Sequence, residues 1–226
     1  MSRTVNLAEQ TVRRDAFIDV AQHLIQTKAY EQMSVQDILD GVGASRGAFY
    51  HYFDSKQQLL DAVVTRMGEA AIASLDSTVR DPSLSALAKL QRVFSGIAGW
   101  KAERRDLVLG IAEIWLSDDN ALVREKLRQR MMQDLAPVLG SIIAQGKSEG
   151  VFAVSAPRDA ALVLVSLMFG ANLLATELFI GRRSNRVTLE EVERLLGAYA
   201  EAYERVLGVR EGSLRIDGEL IRLWYQ

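Results

Sequence analysis

Proline occurs only at positions 82, 137 and 157, so almost the whole chain is free to continue as α-helix. Apolar residues recur every three or four positions over long segments, which is the spacing of one buried helical face. Before residue 210, no segment shows the alternation of apolar and polar residues that is typical of a half-buried strand. The sequence therefore predicts an all-α fold.

Capping residues divide the N-terminal part into short helices. An apolar stripe over residues 12–25 predicts a first helix that ends near residues 28–30. Ser34, followed three residues later by Asp37, predicts a variant capping box at the start of a second helix, and Gly43 ends that helix. The next segment, from Ser45 onwards, is predicted to form the third helix.

The remaining helices are predicted from caps and stripes in the same way. Asp54-Ser55 caps a fourth helix that starts near Lys56, and Asp81-Pro82 starts another in the order expected of an N-terminus. Later helices are expected near residues 107–115, 122–150, 157–183 and 188–208, the last one opened by a Thr188 and Glu191 capping box. We expect two domains, residues 1–55 and residues 56–226.

The tail from residue 210 fits two structures equally well. Leu214 and Ile216 alternate with Arg215 and Asp217 as in a strand, whereas the spacing of three later apolar residues suits a helix: Leu220, Ile221 and Trp224. Its structure stays unassigned from the sequence.

Residue types exclude several classes of chemistry. The 226 residues include no cysteine and only two histidines, His23 and His51, so disulfides, thiolate metal sites and thiol nucleophiles are ruled out. No paired acidic motif lies inside an apolar stretch, as many enzymes would require. We expect no catalytic residues, no cofactor and no metal site.

One segment, residues 160–176, is long and uncharged, but its 17 positions fall short of the ~20 that span a bilayer. Ser166, Gly170 and Asn172 interrupt it, so we expect a buried helix and no membrane insertion. The first ten residues include Arg3 and Glu9 and no continuous apolar core, which predicts no secretory signal and a cytoplasmic protein.

Residues 34–56 describe two short helices joined by a glycine-containing turn, which is the layout of a helix-turn-helix. The net charge is −2, and the first 56 residues carry no excess of basic residues. Contact with DNA would therefore depend on where a few side chains lie, and not on the overall charge.

The third helix of this segment separates into two faces at about 100° per residue. One face is aromatic and apolar and is expected in the core: Ala48, Phe49, Tyr52 and Phe53. The other face is expected to be exposed: Arg46, Gly47, Tyr50, His51 and Asp54. The competing interpretation, that Tyr50 and His51 also belong to an aromatic core cluster, is disfavoured because the other aromatic residues already fill the buried face.

The exposed face has the groups that a helix needs to read a duplex. Gly47 lets the backbone approach the groove, Arg46 supplies charge, and Ser45 lies at a cap where helix N–H groups can meet a phosphate. Tyr50 and His51 offer hydrogen bonds and flat surfaces to base edges. The full set of predicted DNA-contacting residues also includes Ser34, Gln36, Ala48 and Lys56, with Lys56 placed to contact backbone phosphate.

These residues resemble the signature of the TetR family of transcriptional regulators. Ten positions match in order: Ile38, Gly43, Ser45, Arg46, Gly47, Ala48, Phe49, Tyr50, Phe53 and Lys56. Ser34, Leu39 and Ala44 depart from the usual residues, but none of these changes removes a predicted DNA contact. The motif covers about residues 10–60, and the remainder resembles the family in the number and length of its helices.

The resemblance implies a regulator, usually a repressor, that binds double-stranded operator DNA as a homodimer and responds to a small molecule. Its C-terminal bundle would hold the effector, and helices near residues 157–183 and 188–208 would contact the second subunit. Independently of the resemblance, a helix that is apolar on every side over residues 160–180 needs a partner to cover it, and Gly170 would let that partner approach closely.

Large adaptable side chains are the candidates for the effector site: Trp100, Trp115, Met131, Met132 and Phe169. Such a set can equally belong to the core. Asn172 is a sharper candidate, because a buried amide needs a hydrogen-bond partner, which could be the ligand, the other subunit or a nearby backbone carbonyl.

Two other functions fit an all-α chain. A small helical enzyme would need a nucleophile, base or metal cluster that the sequence does not offer. A helical adaptor that binds only protein would have no reason to keep the Ser45-Arg46-Gly47 and Tyr50-His51 surface free of large apolar groups. Binding to random duplex DNA, with its salt dependence, would separate the regulator from both.

Overall fold

The computed structural model describes residues 2–215 and 218–225, and their side chains except those of residues 2–7, 113 and 220. Helices dominate this part of the chain, which contains no strand, and this confirms the predicted all-α fold. The helices are α1 (Ser2–Gln32), α2 (Val35–Val42), α3 (Arg46–Tyr52), α4 (Lys56–Ala73), α5 (Asp76–Arg80), α6 (Ala86–Glu103), α7 (Arg105–Trp115), α8 (Ala121–Ser148), α9 (Pro157–Arg183), α10 (Leu189–Leu207) and α11 (Gly218–Tyr225). A 3₁₀ turn, Asp118–Asn120, precedes α8.

The predicted caps start the helices as expected. The Ser34 hydroxyl accepts a hydrogen bond from the Asp37 N–H, and the Asp37 carboxylate accepts one from the Ser34 N–H, which closes the capping box of α2. The same reciprocal pair, Thr188 with Glu191, opens α10. These hydrogen bonds satisfy N–H groups that have no partner inside the helix.

The end of α1 agrees with its predicted position, whereas the start of α6 does not. The first helix loses helical geometry at Ala29, with φ 62° and ψ 160°, inside the predicted end at residues 28–30. The predicted start at Asp81-Pro82 is wrong by one turn, since α6 begins at Ala86. The Asp81 carboxylate instead accepts hydrogen bonds from the N–H and hydroxyl of Ser83, so it closes a local turn and caps no helix.

By its contacts the chain divides into two compact units. The first comprises Met1–Met67 and Arg104–Arg124, and the second comprises Gly68–Glu103 and Glu125–Gln226. Each unit is therefore built from two separate stretches of sequence. Helices α4 and α8 each contribute residues to both units.

The core of the first unit lies between α1, α2, α3, α4 and α7. Its fully buried members include Phe17, Ile18, Ile25, Met33, Ile38, Phe49, Phe53, Leu59, Leu60 and Leu107. Helix α7 packs along α1 so closely that Gly110 touches the backbone of Ile25: a Cβ at Gly110 would lie 2.3 Å from the Ile25 carbonyl oxygen. Glycine is thus required there by space.

The second unit has its own apolar core, formed by α6, α8, α9 and α10 with the loop after α8. The largest contributors are Leu90, Leu135, Leu139, Ile143, Phe152, Leu164, Val165, Tyr203 and Leu207. The rings of Phe94 and Tyr203 stack at 5.1 Å between centroids, which joins α6 to α10.

The tail that the sequence left unassigned ends in a helix, α11, which packs on α6, α9 and α10. The segment between α10 and α11 is fixed by the buried Glu204 carboxylate, which accepts hydrogen bonds from the N–H groups of Gly212 and Leu214. Ile216 and Asp217, and the side chain of Leu220, lie outside the described residues.

Within the described residues, α9 is the one helix that is long and apolar enough to cross a membrane by length and composition. A core helix of a soluble protein passes the same test. We expected α9 to be buried all round, but Leu162 is 40% exposed and Val163 is 47% exposed in the single chain. The described part of the chain therefore leaves these two apolar residues of α9 uncovered.

Candidate nucleic-acid interface

An aromatic cluster fixes α3 against α1. The rings of Phe17 and Phe49 meet edge to face at 5.8 Å, and Phe53 lies 5.9 Å from Phe49 and 6.2 Å from Phe17. Phe49 of α3 and Phe53, which follows the helix as its C-cap, are both fully buried, as the sequence predicted. Such packing leaves α3 little freedom to rotate about its axis, so its opposite face is presented in a fixed orientation.

The turn before α3 is set by two residues. Gly43 ends α2 at φ 69°, in the left-handed region that favours glycine, and its N–H donates to the Leu39 carbonyl. Ser45 then caps α3 by accepting a hydrogen bond from the Ala48 N–H at 3.2 Å. The predicted helix-turn-helix geometry is thereby formed by the predicted residues.

Five side chains or backbone positions of the outer face are exposed, in agreement with the prediction: Arg46, Gly47, Tyr50, His51 and Asp54. Ala48 and Tyr52 are half-buried at the edge of the face. The Arg46 guanidinium lies 6.0 Å from the centre of the Tyr50 ring, one turn along the helix. The face therefore combines one cation, two flat polar rings and a bare stretch of backbone.

Ser34 and Gln36 lie at the start of α2 with their side chains occupied. The Ser34 hydroxyl is part of the capping box, and the Gln36 amide donates to Asp40 at 2.8 Å. Lys28 pairs with Asp37 at 2.8 Å, and this hydrogen bond, with those from Ser34, holds the pKa of the Asp37 carboxyl well below its usual range. Both predicted contact residues are exposed, and their DNA contact stays a prediction.

Lys56 has an inward role that the sequence analysis did not foresee. Its ammonium donates to the carbonyls of Tyr30 and Met33 at 2.9 and 2.8 Å, and it lies 4.2 Å from the centre of the Tyr30 ring. Burial lowers the pKa of Lys56, and the nearby Glu31 partly opposes that shift. Lys56 thus ties the start of α4 to the loop between α1 and α2. Its contact with phosphate stays a prediction.

The candidate effector residues divide between the two units. Trp115 belongs to the first unit and is buried, whereas the others belong to the second: Trp100, Met131, Met132, Phe169 and Asn172. Of these, Phe169 is buried and the rest are half-buried.

Within the chain, the Asn172 side chain has a partner that the sequence did not suggest. Its side-chain oxygen accepts a hydrogen bond from the ammonium of Lys101, on α6, at 2.5 Å. Sequence reasoning missed Lys101 because a lone lysine at the end of a helix ordinarily points into solvent.

The family model for "Bacterial regulatory proteins, tetR family" matches residues 17–63 of this chain. That segment holds α2, α3 and the first part of α4, together with the apolar half of α1 that packs on them. The match therefore covers the helix-turn-helix and the aromatic cluster that fixes α3 against α1.

Curated relatives carry related names. The chain is 26% identical over 144 residues to the HTH-type transcriptional regulator EthR of Mycolicibacterium smegmatis, covering 56% of this chain and 66% of that protein. It is 27% identical over 123 residues to the HTH-type transcriptional repressor KstR2 of Rhodococcus jostii, covering 50% of this chain and 60% of that one. The chain spans less than two thirds of the length of both relatives.

The fold has close counterparts among solved structures. SmeT, described as the repressor of the Stenotrophomonas maltophilia multidrug efflux pump SmeDEF, matches with a TM-score of 0.60 over 89% of this chain and 93% of that chain, at 18% identity. A SmeT–triclosan complex matches with a TM-score of 0.60 and 20% identity, covering 90% of this chain and 95% of that one. The sequence motif, the family model and the helical architecture agree, and residues 17–63 of the chain match the helix-turn-helix part of the tetR family of bacterial regulatory proteins.

Proposed function

We propose that the protein is a ligand-responsive transcriptional regulator, acting as a repressor, that binds a palindromic operator as a homodimer and dissociates when a small effector binds. In this proposal residues 1–55 contact DNA, and residues 56–226 bind the effector and form the dimer. A regulator of this kind acts in the cytoplasm, where its operator is.

The observation that carries the proposal is the outer face of α3. Phe49 and Phe53 are fully buried and fix the helix, while Arg46, Tyr50 and His51 are exposed on the other side. A polar helix face held by a rigid core is what direct reading of a major groove requires. The names of the curated relatives, a regulator and a repressor with helix-turn-helix domains, support the same function.

The uncovered face of α9 supports the homodimer. Leu162 and Val163 are exposed apolar residues on a helix with few charges, and a second copy of α9 and α10 would cover them. Gly170 no longer supports that interface, because a Cβ there would lie 3.1 Å from the Tyr199 hydroxyl of α10 in the same chain. The close approach at Gly170 is therefore between α9 and α10 of one subunit.

The effector would act through helices shared by the two units. Helix α4 begins with the residues that hold the α1–α2 loop and continues into the second unit. An effector can release the operator only to the extent that it binds the DNA-incompetent arrangement more tightly than the competent one.

DNA selection tests the proposal. The purified chain should enrich a palindrome from random duplexes, with half-sites one turn, about 34–36 Å, apart, and its binding should weaken steeply with salt. Tyr50→Ala and His51→Ala should each lose ~1–3 kcal/mol on the selected site and less on unrelated DNA. Arg46→Ala should lower the salt slope by ~1.

Gln133→Ala, an exposed change on α8, serves as the control and should bind like the parent chain. Salt-independent binding would rule the proposal out. Equal losses on both DNA sequences would show that Tyr50 and His51 only contact the backbone. Lys56→Ala is unsuitable as a probe of phosphate contact, since it also frees the carbonyls of Tyr30 and Met33.

A further inference from the structure

Lys101, in the second unit, is a cation to which the described residues bring no opposing charge. Its ammonium reaches from the last turn of α6 to the Asn172 side chain on α9. Burial lowers its pKa from 10.5 to about 8, and no opposing charge contributes among the described residues. A neutral amide oxygen is its hydrogen-bond partner.

Two other lysines that point inward, Lys56 and Lys89, each have a carboxylate nearby. Lys56 donates to two carbonyls, and although burial lowers its pKa, Glu31 is near enough to oppose that shift. Lys89 donates to the Val79 carbonyl at 2.8 Å and lies near two carboxyls, Glu149 and Asp81, whose pKa values are lowered mainly by hydrogen bonds from Ala86 and Ser83 and further by the charge of Lys89. Among the described residues, half-buried Lys101 has no such carboxylate, and a cation that is withdrawn from water without a counter-charge is costly.

The groups beside Lys101 suit an anion with an apolar body. The Asn172 side chain has an amide N–H₂ that can donate to the second oxygen of a carboxylate held by Lys101. One turn before each of these residues lies a half-buried apolar side chain, Ile97 on α6 and Met168 on α9. Charge and hydrogen-bond donors thus adjoin apolar surface, the usual composition of a small-molecule site.

The C-terminal helix lies next to this place. The Tyr225 hydroxyl donates to the Ala175 carbonyl at 2.9 Å, one turn along α9 from Asn172, and the Tyr225 carbonyl accepts from Arg182 at 3.2 Å. Helix α11 packs on both α6 and α9. The pair therefore lies among three helices of the second unit.

From the unbalanced charge and its apolar neighbours, we infer that Lys101 and Asn172 anchor the effector, and that the effector is a small organic acid whose carboxylate they bind. This inference rests on the proposed function for the role of the ligand as an effector. Binding of an acid by Lys101 and Asn172 does not depend on that function. The ligand would supply the counter-charge that the described residues do not, so its affinity should depend on both side chains.

The test uses the full-length chain and a panel of straight-chain and aromatic monocarboxylates, each matched with the alcohol of the same skeleton. Calorimetry near neutral pH should show that at least one acid binds while its alcohol binds about 10-fold or more weakly, as expected for loss of a charged hydrogen bond. Lys101→Met and Asn172→Leu should remove the preference for the acid. Lys101→Arg, which keeps the charge, should retain part of it.

Binding of Lys101→Met to the selected operator in the absence of ligand shows whether the fold is intact, and it should match the parent chain. If operator binding is normal and no acid is preferred over its alcohol, this inference is wrong and the proposed function stands. If an acid binds through Lys101 but no DNA is bound, the proposed function fails instead. A third outcome would also overturn the inference: the Lys101→Met variant still prefers the acid over its alcohol but dissociates into monomers. In that case the counter-charge for Lys101 would come from a second subunit.

Discussion

Ala29 holds a backbone conformation that suits glycine better. At φ 62° and ψ 160° its Cβ crowds the neighbouring carbonyl groups, a cost of order 1–3 kcal/mol for a residue other than glycine. The turn is kept in place by its surroundings: Tyr30 and Met33 are buried, and Lys56 binds the carbonyls of both. The strain is thus imposed by the packing on either side of the turn.

Ala29→Gly should therefore stabilise the protein. Relief of the strain exceeds the extra chain entropy that glycine loses on folding, so the free energy of unfolding should rise by about 1 kcal/mol. Urea denaturation measures it. Ala144→Gly, at an exposed position inside α8, is the matched control and should lower stability by about 0.5–1 kcal/mol. A loss at both positions would mean that Ala29 is not strained.

Lys101 makes stability depend on pH. Its pKa in the folded chain is about 8 against 10.5 ordinarily, so between these values the unfolded chain binds more protons and stability should rise with pH. Lys101→Met removes this dependence: the variant should gain most over the parent chain near pH 7, by at most about 3 kcal/mol, and least above pH ~10. Denaturation of both chains across this range measures the difference. A difference that does not change with pH would show that Lys101 is not desolvated.

At the residue scale, the sequence predicts what depends on one helix and misses what depends on two. The burial of Phe49 and the exposure of Tyr50 and His51 follow from the helical repeat within α3, and the burial of Phe53 follows from the same repeat continued to the C-cap. The Lys101 to Asn172 hydrogen bond joins positions 71 residues apart, and no local pattern encodes it.

Helix α7 shows the same limit at the scale of elements. Its apolar residues predicted a helix, but nothing in them showed that it packs along α1 and belongs to the first unit. Gly110 makes that contact possible by lying against the Ile25 backbone. Helix starts were predictable where a side chain caps its own helix, as at Ser34 and Thr188. The start of α6 was not, because the carboxylate of Glu149, just after α8, accepts the hydrogen bond of the first N–H.

Gly110→Ala tests the packing of α7 on α1. The added Cβ has no room, since the atom 2.3 Å away belongs to the backbone, so the helices must move apart and stability should fall by about 1–3 kcal/mol. Gly99→Ala on α6 is the matched control: nothing lies within 4 Å of its added Cβ, and the change should stabilise by about 0.5–1 kcal/mol. Equal effects measured by denaturation would contradict the close contact.

At the scale of the whole molecule, the proposed dimer depends on the exposed apolar face of α9. Val163→Glu places a charge on that face without disturbing the fold of one chain, because the side chain is exposed. Sedimentation should then show folded monomers, and operator binding should be lost because two half-sites are no longer held together. Val151→Glu, at a position 43% exposed in the loop before α9, should remain dimeric and bind. A folded Val163→Glu dimer would place the subunit contact elsewhere.

The divided first unit has a consequence for synthesis on the ribosome. Met67 and Arg104 belong to the same unit but are separated in the chain by Gly68–Glu103, so α7 emerges only after all of that segment has been made. At ~5–20 residues translated per second, the apolar face of α1 that α7 will cover stays open for several seconds. A nascent chain in that interval has an exposed helix stripe of the kind that chaperones hold, and a fragment truncated at Met67 would keep that stripe open permanently.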